Sequence, residues 1–491
     1  MPRNMQLLKQ VRKAAARVNQ TTSDPEHKTL LTAADAVFNE LFLQDDPQFY
    51  LGHLAYAKRM LDEGRALVAA QGGRLADQPP LRDFNANVRV DVVMEEVARA
   101  TAMLVEVVTL LEEGRSAAEK DYLVRLGDWE NSLYQHRLDA TPNPADTLAK
   151  DLQPEALLAY LQRKFPDWKN LKLHNFAPLA GGFSKKTILF ETEDDVNGPQ
   201  SMVMRAEQGT NLLGYEGSDV TQEFYTIQLM RRAGLPIAEP LWLEADADQL
   251  GMRFLVSRKA VGKTQGGNMG SDEPVSPRLI DSMFSTMIKL HEIRLDPQDP
   301  LVQKSHLAEW LHCKTVSDAQ RYCSVEFLPR VARNLGIPMT PQLLRGLKWL
   351  QQNVPEVDEP APIVHIDFCF NNLIIDKEEV TAVLDWESSR LGDPAEEISW
   401  TQKSLDPHIS LPDFIKRYEA ATGRHISEYR IAYCKVMKCA LNAICCLSGL
   451  RILEADDMAH ITLGVLGLRY MALFGSQFNA LIADAESVRG K

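Results

Sequence analysis

The most informative stretch of the chain is residues 363–400, IVHIDFCFNNLIIDKEEVTAVLDWESSRLGDPAEEISW. It holds His365, Asp367, Asn372 and Asp385, with Asn372 five residues and Asp385 18 residues after Asp367. Apolar runs at 373–375 and 381–384 flank a polar turn at 376–379. Two short strands joined there bring Asn372 and Asp385 toward each other. The set suits phosphoryl transfer. Such chemistry needs one carboxylate to orient and deprotonate an attacking hydroxyl, and oxygen ligands to hold Mg²⁺ against nucleotide phosphates. Asp385 and Asn372 supply the hard oxygens that Mg²⁺ prefers, which leaves Asp367 as the base. Taken singly, Asp, Asn and Gly are ordinary turn residues. Their joint occurrence at this spacing, between apolar strands, is what decides for chemistry. His365 reads as a hydrogen-bonded organiser of the loop and not as a proton carrier.

The order His365-x-Asp367-x-x-x-x-Asn372, then Asp385-Trp386-Glu387, then Gly392-Asp393-Pro394 resembles the signature of the aminoglycoside phosphotransferase and choline kinase-like family. That resemblance implies a two-lobed, protein-kinase-like α+β fold. It implies Asp367 as catalytic base, Asn372 and Asp385 as Mg²⁺ ligands, and His365 and Asp393 as supports of the loop. ATP and Mg²⁺ are the implied cofactors. Upstream, Gly181-Gly182-Phe183-Ser184 followed by Thr187 resembles the family's phosphate loop, where glycines let backbone N–H groups approach a phosphate. Arg205, in 202–205, stands where kinases carry a phosphate-pairing lysine. Arginine keeps that charge and pairs with phosphate through two N–H groups. Glu223, 18 residues on, is its candidate partner. Residues 254–260, with Ser257 and Lys259, sit where the family has the hinge that binds the nucleotide base. His291, in the pair Leu290-His291, reads as a packing and capping residue.

Arginine on that strand together with Asp-Trp-Glu at the metal site resembles the phosphotransferase branch associated with acyl-CoA dehydrogenases. The resemblance therefore implies a phosphotransferase acting on a hydroxylated small molecule, such as a hydroxyacyl-CoA or a small branched alcohol. An aminoglycoside- or macrolide-type antibiotic kinase is the alternative acceptor reading. The sign of charge in the cleft separates them: a polycationic antibiotic needs acids, whereas the phosphates of an acyl-CoA need basic groups such as Arg258, Lys259 or Lys263. A non-catalytic nucleotide-binding scaffold is the reading from another class. The complete Asp367, Asn372 and Asp385 set argues against it. A protein-kinase role lacks room, because Gly392 follows Asp385 by only seven residues, with no activation segment between them.

Three regions must position these groups. Residues 1–150 carry helical stripes at 30–43, 49–68 and 90–111, with Gly114 as a C-cap after the last. They read as an all-helical domain without a catalytic constellation, and a homo-oligomer through it is one expectation. Residues 151–260 open with an amphipathic helix at 154–165. They continue as strands at 171–180, 187–191, 201–206, 241–244 and 254–257, with a helix at 220–232. This is the small nucleotide lobe. Residues 261–491 read as a mostly helical lobe holding the catalytic loop and the substrate site.

Composition narrows the classes further. Across 491 residues, 45% are hydrophobic and 25% charged, so there is ample apolar material for packed cores. The net charge of −13 excludes a generally basic nucleic-acid binder. The seven cysteines, odd in number and clustered late, fit thiols in a reducing compartment better than a disulfide framework. No apolar run reaches the length of a membrane span. A cytoplasmic location follows as the expectation. The basic first 23 residues, lacking acids, read as a helix with a wet basic face in preference to a transit peptide.

Overall fold

The computed structural model describes residues 47–84, 90–111, 116–140, 152–179, 185–207, 219–267, 270–271, 273–337, 339–406, 408–454, 474–475 and 477–490. The stripe at 30–43, the basic N-terminal segment and Gly114 lie outside them. Within the described residues the chain forms two compact units. The first gathers Met1–Asp146, Leu328–Asn353 and Val436–Arg489; the second takes Thr147–Phe327, Val354–Lys435 and Gly490–Lys491.

In the first unit the helices Pro47–Ala70, Val90–Leu110 and Ala117–Ala140 share one core. Leu54, Met60, Leu104, Val107, Tyr122 and Leu126 are all buried in it. Gly64 permits a close approach. A Cβ there would lie 2.5 Å from the Tyr122 hydroxyl, which donates to the Met60 carbonyl at 3.0 Å. The helix Pro341–Gln352 belongs to this unit as well. Thr340 caps its start by accepting from the Leu343 N–H. Its Leu343, Leu347 and Leu350 are buried, each contributing about 2 kcal/mol by removal from water. Lys348 Nζ donates to the carbonyls of Val108, Thr109 and Leu111 at 2.7–2.9 Å, and so caps the C-terminal end of the helix Val90–Leu110. The structure thus draws its division differently from the sequence expectation. The described residues of 328–353 and 436–489, assigned there to one lobe spanning 261–491, group with the N-terminal helices.

The second unit has the expected two-lobed α+β architecture. Its small lobe is a five-stranded antiparallel sheet of β1 (Lys172–Leu179), β2 (Lys185–Asp194), β3 (Gly198–Glu207), β4 (Pro240–Glu244) and β5 (Phe254–Arg258). The spatial order is β1-β2-β3-β5-β4. Alternation sorts the two faces. Ile188, Phe190, Met202, Met204 and Val256 point into a core closed by Leu157, Tyr160 and Leu161 of the helix Pro154–Lys164. Thr187 and Arg205, directly paired across β2 and β3, lie on the opposite face.

The chain leaves this lobe through Gly262, whose φ is +117°. A Cβ there would sit 2.3 Å from the Ile375 carbonyl oxygen, so only glycine fits. Short strands follow: β6 (Gly266–Gly267) with β7 (Gly270–Ser271), β8 (Ile363–Val364) with β11 (Arg390–Leu391), and β9 (Leu373–Asp376) with β10 (Glu379–Val383). The turn between β9 and β10 is Lys377-Glu378, both at positive φ, the geometry of a two-residue hairpin loop. The larger lobe is otherwise helical, built on Pro277–Glu292, Pro394–Leu405, Leu411–Thr422 and the first part of Glu428–Glu454. No helix among the described residues is long and apolar enough to cross a membrane. All seven cysteines are described, and no disulfide joins them.

Candidate active site

The loop from β8 to β9 is built on the backbone. His365 is fully buried. Its Nε2 lies 2.8 Å from the Leu384 carbonyl, and its Nδ1 accepts from the Asp367 N–H at 3.3 Å. A neutral ring protonated on Nε2 satisfies both contacts. Ile366 stands at φ +75°, a strained setting for a β-branched residue, and turns the chain so that Asp367 follows. Phe370–Asn372 then form a single 3-10 turn.

This geometry fixes the Asp367 carboxylate at both oxygens. Asn372 Nδ2 donates to Oδ2 at 2.8 Å and to the Asp367 carbonyl at 2.9 Å. Trp400 Nε1 donates to Oδ1 at 2.7 Å. The hairpin closes with the Leu384 N–H on the Asn372 carbonyl at 2.8 Å, one residue before Asp385. Asp385 occupies the left-handed region at φ 64°.

The small lobe meets this loop through charge. Arg205 reaches Asp385 Oδ1 at 2.8 Å and Glu223 Oε1 at 3.3 Å. Glu223 lies in the first turn of the helix Val220–Arg232 and is buried. Lys185, also buried, pairs with Glu387 and lies 3.3 Å from Glu223 Oε2. Burial opposes ionisation of Asp385, but the charges of Arg205 and Lys185 outweigh it and hold the carboxyl below the usual range. Glu387 goes the other way, pushed up to about 7 by burial and by the neighbouring Asp385 and Glu223 charges.

Asp393 takes a position further back. It caps the helix Pro394–Leu405 by accepting from the Ala395 N–H at 2.8 Å, and it pairs with Arg430 at 2.8 and 3.1 Å. Ser257 is buried on β5, paired with Val203. The Lys259 N–H extends that ladder to the Ser201 carbonyl at 2.9 Å, and its side chain is exposed. Arg258 and Lys263 are held by Glu239 and Glu273 at 2.9 and 2.5 Å. Gly181, Gly182, Phe183 and Ser184 lie outside the described residues. The geometry therefore joins Arg205, Glu223 and Asp385 by ion pairs and Asp367 and Asn372 by hydrogen bonds, with the backbone bond from Leu384 to Asn372 linking the two sets.

Three further residues belong to the site and carried no signal in the motif itself. They are Lys185, Trp400 and Glu397. Glu397 Oε1 accepts from the His365 N–H at 2.9 Å, and Oε2 lies 2.6 Å from His291 Nε2. His291 Nδ1 lies 2.8 Å from the Tyr418 hydroxyl. Trp400 and Glu397 could have been found from their three-residue spacing on the helix opened by Asp393, which puts both on the face turned to the loop.

The donor set fits a hard divalent cation, since Asp385 and Asn372 offer carboxylate and amide oxygens. It also fits a phosphate. Arg205 Nε is buried without an acceptor among the described residues, so its guanidinium retains an N–H for an anionic oxygen.

Several known proteins resemble the chain. Acyl-CoA dehydrogenase family member 11 of Gallus gallus is 24% identical over 213 residues, 41% of this chain and 25% of that protein. The Rattus norvegicus protein of that name is 24% identical over 307 residues, 59% and 35% of the two chains. Acyl-CoA dehydrogenase family member 10 of Mus musculus is 25% identical over 206 residues, 41% and 18%. The chain thus spans about a third or less of the length of these curated relatives. Among solved structures, macrolide 2′-phosphotransferase MphH from Brachybacterium faecium is 19% identical with a TM-score of 0.43, covering 64% of this chain and 98% of its own. A thermostable mutant of aminoglycoside phosphotransferase APH(4)-Ia, in a ternary complex with AMP-PNP and hygromycin B, is 18% identical with a TM-score of 0.44, covering 68% and 99%. The model of the phosphotransferase enzyme family matches residues 175–432, more than half of the chain, and the chain belongs to that family.

Proposed function

We propose that this chain is an ATP- and Mg²⁺-dependent O-phosphotransferase acting on a hydroxyl of a small molecule. The observation that carries the reading is the Asp367 carboxylate, held at one oxygen by Trp400 and at the other by Asn372. A carboxylate fixed in this way presents its remaining lone pairs in a set direction. Asp367 would orient the acceptor hydroxyl and take its proton as the new oxygen–phosphorus bond forms and the bond from the γ-phosphorus to the departing ADP breaks. Asn372 and Asp385 would hold Mg²⁺, which when bound supplies charge neutralisation at the phosphate oxygens. Arg205, oriented by Glu223, would bind phosphate oxygens, together with the backbone of 181–184. Ser257 and Lys259 would border the nucleotide. His365 and Asp393 would keep the loop in register.

For the acceptor, relatives named as acyl-CoA dehydrogenase family members favour a hydroxyacyl-CoA or a small branched alcohol over an antibiotic. The test is a coupled ADP-release assay on the full chain with Mg²⁺ and ATP. Its panel holds hydroxyacyl-CoAs, branched alcohols, aminoglycosides and macrolides, and Asp367→Asn is the control. Acceptor-dependent ADP release with an acyl-CoA or alcohol, lost in the variant, is the expected result. Turnover confined to an antibiotic would replace the acceptor. Nucleotide binding without turnover on any acceptor would favour a scaffold.

A further inference from the structure

We propose that Lys185 is a positioning residue of the nucleotide site. It holds Glu387 and Glu223 so that Arg205 and Asp385 remain available to a metal-bound nucleoside di- or triphosphate. The inference rests on the phosphotransferase reading above.

Lys185 opens β2, directly after residues 180–184. In the β2–β3 register it faces Glu207, and Thr187 two residues on faces Arg205. Side chains two apart on a strand share a face, so Lys185 and Arg205 are diagonal neighbours on one side of the sheet. A lysine at a strand end next to a loop is ordinarily in water, because its ammonium is strongly hydrated. This one is only 3% exposed. Burial at that cost requires compensation, and the compensation here is two carboxylates from two other elements. Glu223 comes from the helix Val220–Arg232 and Glu387 from the turn that follows Asp385.

The contacts form a chain of alternating sign: Glu387, Lys185, Glu223, Arg205, Asp385. Three carboxylates face two cations. Without Lys185, Arg205 would be the one cation left in this chain of contacts. Glu223, now shared between Lys185 and Arg205, would have a single partner. Glu387 would lose the ion pair that turns it toward β2 and would compete for the guanidinium beside Asp385. The positive charge left for a phosphate would fall, and the carboxylate available to a cation would lose its fixed place. Lys185 acts through these two acids, which makes it a positioning residue.

A purely structural ion pair would be equally buried, so the test must read ligand binding apart from stability. The full chain is titrated with Mg²⁺ and ADP by calorimetry, with melting temperatures recorded alongside. Wild type is compared with Lys185→Met and Lys185→Arg. Mg·ADP affinity is expected to fall about tenfold or more in Lys185→Met and to recover within about threefold of wild type in Lys185→Arg, the size expected when a buried charged partner is lost and restored. Affinity in Lys185→Met equal to wild type, with only the melting temperature lowered, overturns the proposal and leaves the phosphotransferase reading standing. Absence of Mg·ADP and Mg·ATP binding to wild type overturns both. If Lys185→Met does not fold, Lys185→Met with Glu387→Gln is compared with Glu387→Gln alone, which removes the Glu387 charge from both arms. Weaker binding by the double variant supports the proposal, since Glu223 has lost its second cation. Equal binding overturns it.

Discussion

The indole of Trp400 donates to Asp367 Oδ1 at 2.7 Å from the helix Pro394–Leu405, and Asn372 Nδ2 takes Oδ2 at 2.8 Å. The carboxylate is thus held from its own loop by Asn372, with the Cys369 thiol at 3.5 Å from Oδ1, and by an indole from a helix that begins 27 residues later. Trp400→Phe keeps the aromatic bulk and removes the N–H. A hydrogen bond to a charged group is worth roughly 1.5–3 kcal/mol, so kcat should fall about tenfold or more. The KM for ATP should stay within about twofold, because the contact is to the group proposed to meet the acceptor. Steady-state kinetics with saturating acceptor check the split. A rise in the KM for ATP with kcat unchanged would assign Trp400 to the nucleotide instead.

Asp385 is expected to govern the metal. Asp385→Asn removes a charge while leaving an amide of the same shape. The Mg²⁺ concentration for half-maximal turnover should rise about tenfold or more at saturating ATP, since a hard cation prefers a carboxylate to an amide oxygen. The variant also deprives Arg205 of its ion pair at 2.8 Å. Arg205→Met should instead raise the KM for ATP at saturating Mg²⁺. Titrating metal and nucleotide separately in both variants distinguishes the two roles.

The pair Arg430–Asp393 is the strongest candidate for a structural dependence within the catalytic lobe. Asp393 is fully buried and accepts two N–H groups from Arg430, at 2.8 and 3.1 Å. Arg430→Met leaves that carboxylate buried with only the Ala395 N–H. Breaking such a pair costs about 3–5 kcal/mol, several-fold more than an exposed ion pair. The urea midpoint of the corresponding unfolding transition should fall accordingly. Arg424→Met, which removes a more exposed contact to Glu359 at 3.2 Å, should move it far less.

Parts of the site that lie close together in the chain are readable from residue order alone. Asp367, Asn372 and Asp385 are joined by short strands whose apolar alternation forces the turn, even though Lys377-Glu378 offers none of the usual glycine or asparagine. Arg205 and Glu223 were placed by the strand and helix that carry them, and they meet through Glu223 Oε1 at 3.3 Å. Lys185 was not readable. Beside Lys186 it looks like a wet strand end, and nothing local announces that acids 38 and 202 residues away will enclose it. The helix Pro341–Gln352 illustrates a second limit. Its period shows which face is apolar but not which core receives that face, so the packing of Leu344 against the N-terminal core emerges only in three dimensions.

His306 supplies a pH dependence of stability with a definite sign. It is buried, with Nε2 2.6 Å from the Ser389 carbonyl and Nδ1 3.2 Å from the Thr226 hydroxyl. Burial pushes its pKa down to about 4 from an ordinary 6.5, against the opposing pull of the Ser389 carbonyl and nearby acids. The folded chain therefore refuses a proton that the unfolded chain accepts. The contribution is fully present above pH 6.5 and is lost as pH falls from 6.5 to about 4, amounting to about 3 kcal/mol at completion. His306→Gln keeps a donor for Ser389 and removes the titration. Wild type should lose melting temperature between pH 7.5 and 4.5 more steeply than the variant, with carboxylates common to both cancelling in the difference. Parallel curves for the two proteins would mean that His306 takes up its proton in the fold as readily as in the unfolded chain, without the shift that burial imposes.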